Sequence, residues 1–425
     1  CWYNLCLAVH PSDPARLLVG AIRFYTSIDG GVNLYPLTDY WGSGQEVHQD
    51  THVLTFSRSN PDRFWVAGDG GIWRSDNGGL SFVNLNANLN LTQFYDIEVH
   101  PLDAATVFGG AQDNSSSATT GDILWDVTVV TGDGFISVVD PEDPDIVIQT
   151  SYPWDGLPSL YLSTAGGAPN SFQWIWLQGV TQGEPWPWVT PLAEVDLADV
   201  AGSPLFIGSD RVYRSSTASP TQWTGISGDL TGPSGSLSVI LPVVDGEMVR
   251  VYAGTSNGRI HRSDDAMAQD PVWFDVTGNF PGDTVTDIAV DPTDSTVVYL
   301  TRGAFNLAKL YRSSTGGTPW DAVGAGLPNV PANAVAVDPR DGNRVFVATD
   351  VGTFMSLDQG TTFEPLMAGM PLGVVVTDLE VDGDPHVLTA GTYGRGAWQL
   401  ELSAPVLFSD GFESGNVLAW SVAVN

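Results

Sequence analysis

The sequence predicts an all-β protein in which a unit of four short strands is repeated about nine times. Nine segments share one plan: an apolar strand, a polar turn and a second apolar strand. No long amphipathic helical pattern interrupts them. The second strands end at Ala21, Asp69, Ala111, Thr150, Ser209, Thr255, Thr301, Thr349 and Thr392, in steps of 39 to 59 residues. A period of about 40–50 residues with four strands per unit is typical of a β-propeller blade, so we expect eight to ten blades.

The first two strands of a unit are joined by a turn that often contains Pro and Asp. Residues 97–111 (IEVHPLDAATVFGGA) and 335–349 (VAVDPRDGNRVFVAT) show this clearly. Pro and Asp both favour turns, because Pro presets its φ angle and the Asp side chain accepts hydrogen bonds from nearby backbone amides. Each such segment is therefore predicted to be a strand pair inside one blade.

The third strand ends in a phrase of an aromatic residue or His, then Arg and Ser, and a second turn follows it. The turn at 356–363 has the pattern Ser-x-Asp-x-Gly-x-Thr-aromatic. We expect the Asp358 carboxylate to accept hydrogen bonds from its own turn, Gly360 to take a positive φ angle and Phe363 to enter the core. Related turns occur at 27–31, 75–82, 163–167 and 313–320, and Asp29, Asn77 and Asp265 are predicted to be turn residues like Asp358.

These repeats resemble Asp-box (BNR) repeats, which occur in sialidases, sortilin-like receptors and xyloglucanase-like glycoside hydrolases. The resemblance covers residues 1–402, and phrases such as 69–71 (DGG), 112–114 (QDN) and 394–398 (GRGAW) are similar to secreted bacterial members of the family. It implies a propeller and an extracellular or cell-surface location. A single sortilin-like propeller has ten blades, so nine units imply either one missing blade or one complete propeller with part of another.

The resemblance divides the chain into a propeller at 1–402 and a tail at 403–425. The tail departs from the repeat and resembles the start of a β-sandwich module, or an export tail, of secreted bacterial proteins. Cys1 and Cys6 are the two cysteines. They are predicted to lie too far apart in one strand to form a disulfide, with Cys6 buried and Cys1 either incidental or a lipid anchor.

The composition disfavours several classes of partner. The formal net charge is −33 and Lys309 is the single lysine. Such a chain repels nucleic acid and anionic membrane surfaces. No apolar run is long enough to span a membrane. A polysaccharide or a protein is the expected ligand, and a larger extracellular assembly is an alternative.

Propeller topology predicts which loops share a face. Loops between second and third strands, and between a fourth strand and the next unit, open on one face, whereas the Asp-box turns lie on the other. On the first face, carboxylates and imidazoles of successive units are expected to meet near the axis. They are His48, Asp50, His52, Asp69, Asp113 and Asp133, with Gln112 and Asn114 beside Asp113.

Three chemistries fit this predicted cluster. Crowded carboxylates split their pKa values, which suits general acid–base catalysis by Asp50, Asp69, Asp113 or Asp133. Carboxylate oxygens also suit Ca²⁺, and His48, Asp50 and His52 suit a transition metal. The plain alternative is structural, because Asp-Gly and Asp-Asn are common turn dipeptides and a His that enters a strand is commonly a core residue.

Aromatic residues add a second prediction. Phe172, Trp174 and Trp176 alternate as in a strand and are expected in the core. Trp186 and Trp188 follow in a long loop and are expected on the face with the acidic cluster. There they would stack on sugars, or the loop would pack against its own propeller. Tyr393 and Arg395, after the last second strand, are further candidates for ligand contact.

Three functional classes therefore remain open: a ligand-binding propeller, a carbohydrate-active enzyme, and a structural component of a surface or filament assembly. The sialidase reading is disfavoured because four arginines lie in the structural aromatic-Arg-Ser phrase and few remain to bind a carboxylate. Xyloglucanase-like enzymes have two tandem propellers with the catalytic Asp pair in the cleft between them. A single array of this length departs from that arrangement, so no residue of this chain is assigned as catalytic from the resemblance.

Overall fold

A computed structural model describes residues 3–37, 47–129, 132–197, 202–366, 369–383 and 386–402. In these residues the regular structure is β-sheet apart from one 3₁₀ turn at Asn86–Asn88. They contain no helix with the length and apolar character needed to cross a bilayer. The expectations for Cys1 and for the tail at 403–425 fall outside the described residues.

The prediction of about nine repeated β-sheets is confirmed. The described residues form nine antiparallel sheets, eight with four strands and the last with three. Within each sheet the strands are neighbours in chain order. The sheets fall into two compact units, at 1–91 and 92–425, which are described separately.

The first unit has two sheets. Their strands are β1 Cys6–Val9, β2 Leu17–Gly20, β3 Phe24–Ser27 and β4 Tyr35–Pro36, followed by β5 Thr51–Phe56, β6 Phe64–Gly68, β7 Gly71–Ser75 and β8 Val83–Asn84. Phe24, Phe64 and Val66 pack at the centre of their shared core. Cys6 is half-buried and unbridged, and burial raises the pKa of its thiol.

The second unit has seven sheets. The first three comprise β9 Phe94–His100, β10 Asp103–Ala111, β11 Ser116–Thr120, β12 Asp126–Val129, β13 Gly134–Val139, β14 Ile146–Trp154, β15 Leu157–Thr164, β16 Gln173–Ile175, β17 Leu192–Glu194, β18 Pro204–Gly208, β19 Val212–Ser216 and β20 Thr224–Gly225. The fourth and fifth comprise β21 Leu237–Asp245, β22 Met248–Thr255, β23 Ile260–Ser263, β24 Trp273–Asp275, β25 Val285–Asp291, β26 Asp294–Arg302, β27 Leu310–Ser313 and β28 Asp321–Val323. The last two comprise β29 Ala332–Val337, β30 Val345–Thr349, β31 Gly352–Ser356, β32 Glu364–Pro365, β33 Val376–Gly383, β34 His386–Thr392 and β35 Ala397–Glu401.

Burial explains why the second strands carry the clearest sequence signal. All five residues of β18 and all five of β30 are buried, whereas the outermost strands β20 and β32 are exposed. A strand covered on both faces reads as a continuous apolar run. Cores form where neighbouring sheets face each other, as around Phe346 and Leu388.

The seven sheets of the second unit close into a ring. Each first strand contacts the first strand of the next sheet, and β33 of the last sheet contacts β9 of the first. A polar side chain near the start of each of four successive first strands donates a hydrogen bond to a carbonyl of the next. The four bonds are Ser238 to Val285 (2.6 Å), Thr286 to Ala332 (2.7 Å), Asn333 to Val376 (2.9 Å) and Thr377 to Phe94 (2.9 Å). Seven of the nine repeats are therefore sufficient to close the second unit.

The turn at 356–363 has the predicted geometry. Asp358 Oδ1 accepts the Thr362 N–H at 2.8 Å, and Oδ2 accepts the Thr362 hydroxyl at 2.7 Å. The Ser356 hydroxyl donates to Asp358 Oδ1, Gly360 has a φ of 77°, and Phe363 is buried. The bonds at Asp29 and Asn77 are equivalent, whereas the assignment of these repeats to the Asp-box family remains a prediction.

Candidate functional site

Asp133 is the point at which several loops of the second unit meet. The side chain is 8% exposed and accepts three hydrogen bonds. The donors are the Asp113 N–H at 2.8 Å, the Tyr95 hydroxyl at 3.2 Å and Trp188 Nε1 at 3.3 Å. Both carboxylate oxygens are therefore engaged, which suits a residue that holds its neighbours in place.

The structure brings the backbone of Asp113 to the carboxylate of Asp133. Asp113 follows β10, in a loop between second and third strands, and has a φ of 57°. Ser115 of the same loop forms a bridge with Asp133. A non-glycine residue held at positive φ costs free energy, and such residues cluster at functional sites.

Gln112 and Asn114 flank Asp113 in the same loop. Asn114 Nδ2 donates to the carbonyl of Gln112 at 2.9 Å, and the Gln112 N–H donates to the carbonyl of Gln93 at 2.9 Å. These bonds fix the loop against the start of β9. Any role of Gln112 and Asn114 in ligand contact remains a prediction.

Aromatic rings surround Asp133. Burial, with the nearby negative charge of Asp133, raises the pKa of Tyr95. The Tyr95 ring makes edge contacts with Phe135 at 4.9 Å and with Tyr393 at 6.0 Å between centroids. Tyr393 was a sequence candidate, whereas Tyr95 and Phe135 were not, since both lie in first strands and read as core residues.

Trp188 presents the most accessible ring of this group. Its indole is stacked on Tyr152, with centroids 5.4 Å apart and planes 12° apart, and it is 56% exposed. Its Nε1 is held by Asp133, so the ring has a defined orientation. Trp188 therefore lies beside Asp133, which also holds the Asp113 loop, and its contact with a ligand remains a prediction.

Trp186 and Arg395 are placed differently from Trp188. Trp186 is half-buried, stacks on Tyr213 at 5.6 Å and donates from Nε1 to the carbonyl of Thr181. It packs against Tyr213 of the following sheet, which agrees with the alternative that the loop packs against its own propeller. Arg395 is exposed, and its guanidinium donates to the carbonyl of Gly394.

The expectation that Trp174 and Trp176 lie in the core is wrong. Trp174 is 41% exposed and Trp176 is 65% exposed, with their ring centroids 4.3 Å apart. The cause is that β16 is the outermost strand of its sheet, and strand alternation does not reveal whether anything covers a face. Phe172 is half-buried and packs beside Phe108.

The other predicted residues lie in the first unit. His52 Nε2 is 2.8 Å from Asp69 Oδ1, and the Tyr3 hydroxyl donates to Asp69 Oδ2 at 3.4 Å. The Tyr3 and His52 rings meet edge to face at 5.1 Å. The structure thus brings His52 and Asp69 together as an exposed pair.

Asp50 and His48 make their own contacts in the first unit. Asp50 has a φ of 61° and accepts a hydrogen bond from the amide of Asn4, and His48 Nδ1 is 2.9 Å from the carbonyl of Gln49. In the part of the chain that the structure describes, no three His, Cys, Asp or Glu side chains are arranged to hold a metal ion. Binding of Ca²⁺ or of a transition metal remains a prediction.

A cavity of about 410 Å³ is lined by the first strands of the second unit. Six half-buried carboxylates face it, and the lining includes no Lys, Arg or His. They are Asp96, Glu98, Glu194, Asp287, Asp378 and Glu380. Burial raises the pKa values of five of these carboxyl groups, and repulsion between neighbouring carboxylates adds to the effect at several of them. The pKa values of Asp96 and Glu98 lie well above the ordinary range. The pKa is about 8 for Glu194, about 7 for Asp287 and about 6 for Asp378.

Three of these carboxylates connect neighbouring sheets. Asp287 accepts the N–H of Val335 at 2.8 Å. At the ring closure, Asp378 accepts the N–H of Ile97 at 3.2 Å and Glu380 accepts that of Val99 at 2.7 Å. They satisfy amides of first strands that have a strand partner on one side only, so their contacts are structural. The repeated hydroxyl-Asp-aliphatic phrase at 95–97, 286–288 and 377–379 is the sequence signal for Asp96, Asp287 and Asp378.

Solved structures that are similar to this chain include three GH74 proteins. A GH74 enzyme of Niastella koreensis is 13% identical, with 93% of this chain and 74% of that chain covered and a TM-score of 0.38. A GH74 xyloglucanase of Xanthomonas campestris is 16% identical, with coverage of 92% and 69% and a TM-score of 0.26. An ancestral GH74 enzyme is 13% identical, with coverage of 93% and 70% and a TM-score of 0.34. No family model and no curated protein matches the sequence. Similarity at this level supports no conclusion about function.

Proposed function

We propose that this is an extracellular carbohydrate-active protein that binds a polysaccharide on the surface around Trp188. The observation that carries the proposal is the exposed Trp188 ring, stacked on Tyr152 and oriented by its Nε1 bond to Asp133. An aromatic ring with a fixed orientation offers an apolar face to the C–H groups of a pyranose. Polar groups beside it bind the sugar hydroxyls.

The polar groups near Trp188 suit a ligand rich in hydroxyls. Asp113 is half-buried at the edge of the site, and Tyr393 contributes an exposed phenol. Asp133 accepts three hydrogen bonds, two of which position Trp188 and Tyr95. The net charge of −33 disfavours an anionic ligand.

The test is a binding measurement with a panel of neutral and acidic polysaccharides, made by affinity electrophoresis or calorimetry. Trp188→Ala should weaken binding to the preferred polysaccharide about tenfold or more, equivalent to about 1.4 kcal/mol. Phe305→Ala is the matched control, because Phe305 is also 56% exposed but lies in the loop after β26. Equal loss in both variants, or no loss in Trp188→Ala, would contradict the proposal.

Hydrolysis of the bound polysaccharide is the second candidate. It is favoured by the strained Asp113 backbone beside Asp133, which brings two carboxylate residues into one corner of the site. A glycosidase needs two such groups. Release of reducing ends, lost in Asp113→Asn while binding is kept, would support hydrolysis. Binding without release in the wild-type protein would exclude it for the sugars tested.

A further inference from the structure

We propose that a groove beside Trp188 is a second sugar subsite, so that the surface binds an extended, neutral polysaccharide across at least two sugar residues. This rests on the proposed function and specifies its ligand. The aromatic groove has a volume of about 290 Å³ and is lined by Ser151, Tyr152, Trp154, Ser159, Tyr161 and Trp174.

The strands of the fourth repeat build this groove. Ser151 of β14 is paired with Ser159 of β15, and both serines are buried, so small side chains form its floor. Tyr161 is paired with Trp174 of β16, which places both rings on one face. The register shifts between Ser151 and Trp154. Such an irregularity breaks the alternation of side chains and lets Tyr152 and Ser151 line the same groove.

A tight turn holds the open end of the groove. Asp155 and Gly156 have φ angles of 53° and 74°, as in a type I′ hairpin. Gln182 Nε2 donates to the Asp155 carbonyl at 2.7 Å, and the Gly183 N–H donates to the Gly156 carbonyl at 2.9 Å. The backbone beside Trp154 is therefore tied to the loop that leads to Trp188.

Exposure of tryptophan is concentrated around the groove. Among the described residues, all four exposed tryptophans lie within 154–188: Trp154 (68%), Trp174, Trp176 and Trp188. Leaving a large aromatic side chain in water forgoes roughly 2–3 kcal/mol of burial free energy. Four such rings in one region indicate a surface that is covered by a ligand.

The groove is continuous with the Trp188 site because Tyr152 belongs to both. Tyr152 lines the groove and stacks on Trp188. Tyr152 and Trp154 both line the groove. The expected occupant is the next sugar of the chain bound at Trp188. The lining carries no charged side chain, and sugars with equatorial hydroxyls offer flat C–H faces to such rings.

The experiment is calorimetric titration of the full chain with glucose and with cello-oligosaccharides up to the hexasaccharide. Trp174→Ala should lower hexasaccharide affinity about tenfold and leave glucose affinity unchanged, whereas Trp188→Ala should lower both. Phe305→Ala is the control for both variants, and thermal melting shows that each variant is folded. Polygalacturonate is the anionic probe and should bind at least tenfold more weakly than hydroxyethyl cellulose.

The outcomes separate the inference from the proposed function. If Trp174→Ala binds the hexasaccharide like the wild type while Trp188→Ala does not, the groove is not a subsite and the proposed function stands. If the wild-type protein binds no polysaccharide, neutral or acidic, the proposed function fails, and the groove proposal fails with it. If the protein prefers polygalacturonate, the inference that the ligand is neutral is wrong, whereas the proposed polysaccharide binding stands.

Discussion

At the scale of single residues, loop topology is a better guide to the site than residue type. The meeting of Asp113 with Asp133 could be predicted, because loops of one parity in adjacent sheets share a face. Trp174 was misplaced because alternation in a strand shows which side chains share a face, but not whether that face is covered. Tyr152 could not be found either, since it lies in a strand and its stacking partner Trp188 lies in a loop 36 residues later in the sequence.

Asp358 provides a test of a turn residue on the other face of its repeat. Replacement by Ala removes an acceptor for the N–H and hydroxyl of Thr362, and we expect a loss of about 1 kcal/mol in the free energy of unfolding. Asp358→Asn is the matched control, because Asn77 accepts the equivalent N–H in its own turn. Urea unfolding measures both variants. Polysaccharide binding should stay unchanged, and its loss in a stably folded Asp358→Ala protein would move the site to the face of these turns.

At the scale of strands and turns, one repeated device joins the first and second strands. A side chain just before Pro accepts the N–H two residues later. Asp140, Asp291 and Asp338 do so with a carboxylate oxygen, and His10 and His100 with Nδ1. The sequence predicted turns here from Pro and Asp. The sequence did not reveal that a His imidazole accepts the same hydrogen bond as an Asp carboxylate, because this requires the ring to be turned so that Nδ1 faces the N–H.

Asp338 also carries a buried ion cluster, which predicts a large effect of mutation. Its carboxylate is fully buried and lies 2.8 Å from His386 Nε2 and 3.0 Å from Arg344. Asp338→Ala should lower the free energy of unfolding by about 3–5 kcal/mol, because it leaves a buried Arg without its partner. Asp341→Ala is the control, since Asp341 caps the same turn by accepting the Asn343 N–H near the surface. Urea unfolding measures both variants. If Asp338→Ala loses no more unfolding free energy than Asp341→Ala, water must take the place of the missing carboxylate beside Arg344 and His386.

At the scale of the whole chain, the period predicts how many sheets form but not how they close. Nine repeats are present, yet a ring of seven is closed by three hydrogen bonds between β33 and β9, in which Thr377 donates and Asp378 and Glu380 accept. Closure depends on contacts between strands about 280 residues apart in sequence, separated by 281 residues in the Asp378–Ile97 pair. Local strand patterns are the same for any number of blades, so the sequence left one complete propeller with part of another as an alternative.

The carboxylates facing the cavity predict how the stability of the second unit depends on pH. Their pKa values are raised on folding, to about 6 for Asp378, about 7 for Asp287 and about 8 for Glu194. Between about pH 4 and pH 8 the folded state therefore binds more protons than the unfolded state, so the free energy of unfolding should fall as pH rises, by on the order of a few kcal/mol. Urea unfolding at several pH values from 5 to 8 measures this. Asp287→Asn keeps an oxygen to accept the Val335 N–H but cannot ionise, so its decline with pH should be shallower than that of the wild type. A wild-type stability that is constant or rises over this range would mean that these carboxylates ionise in the folded protein as readily as in water.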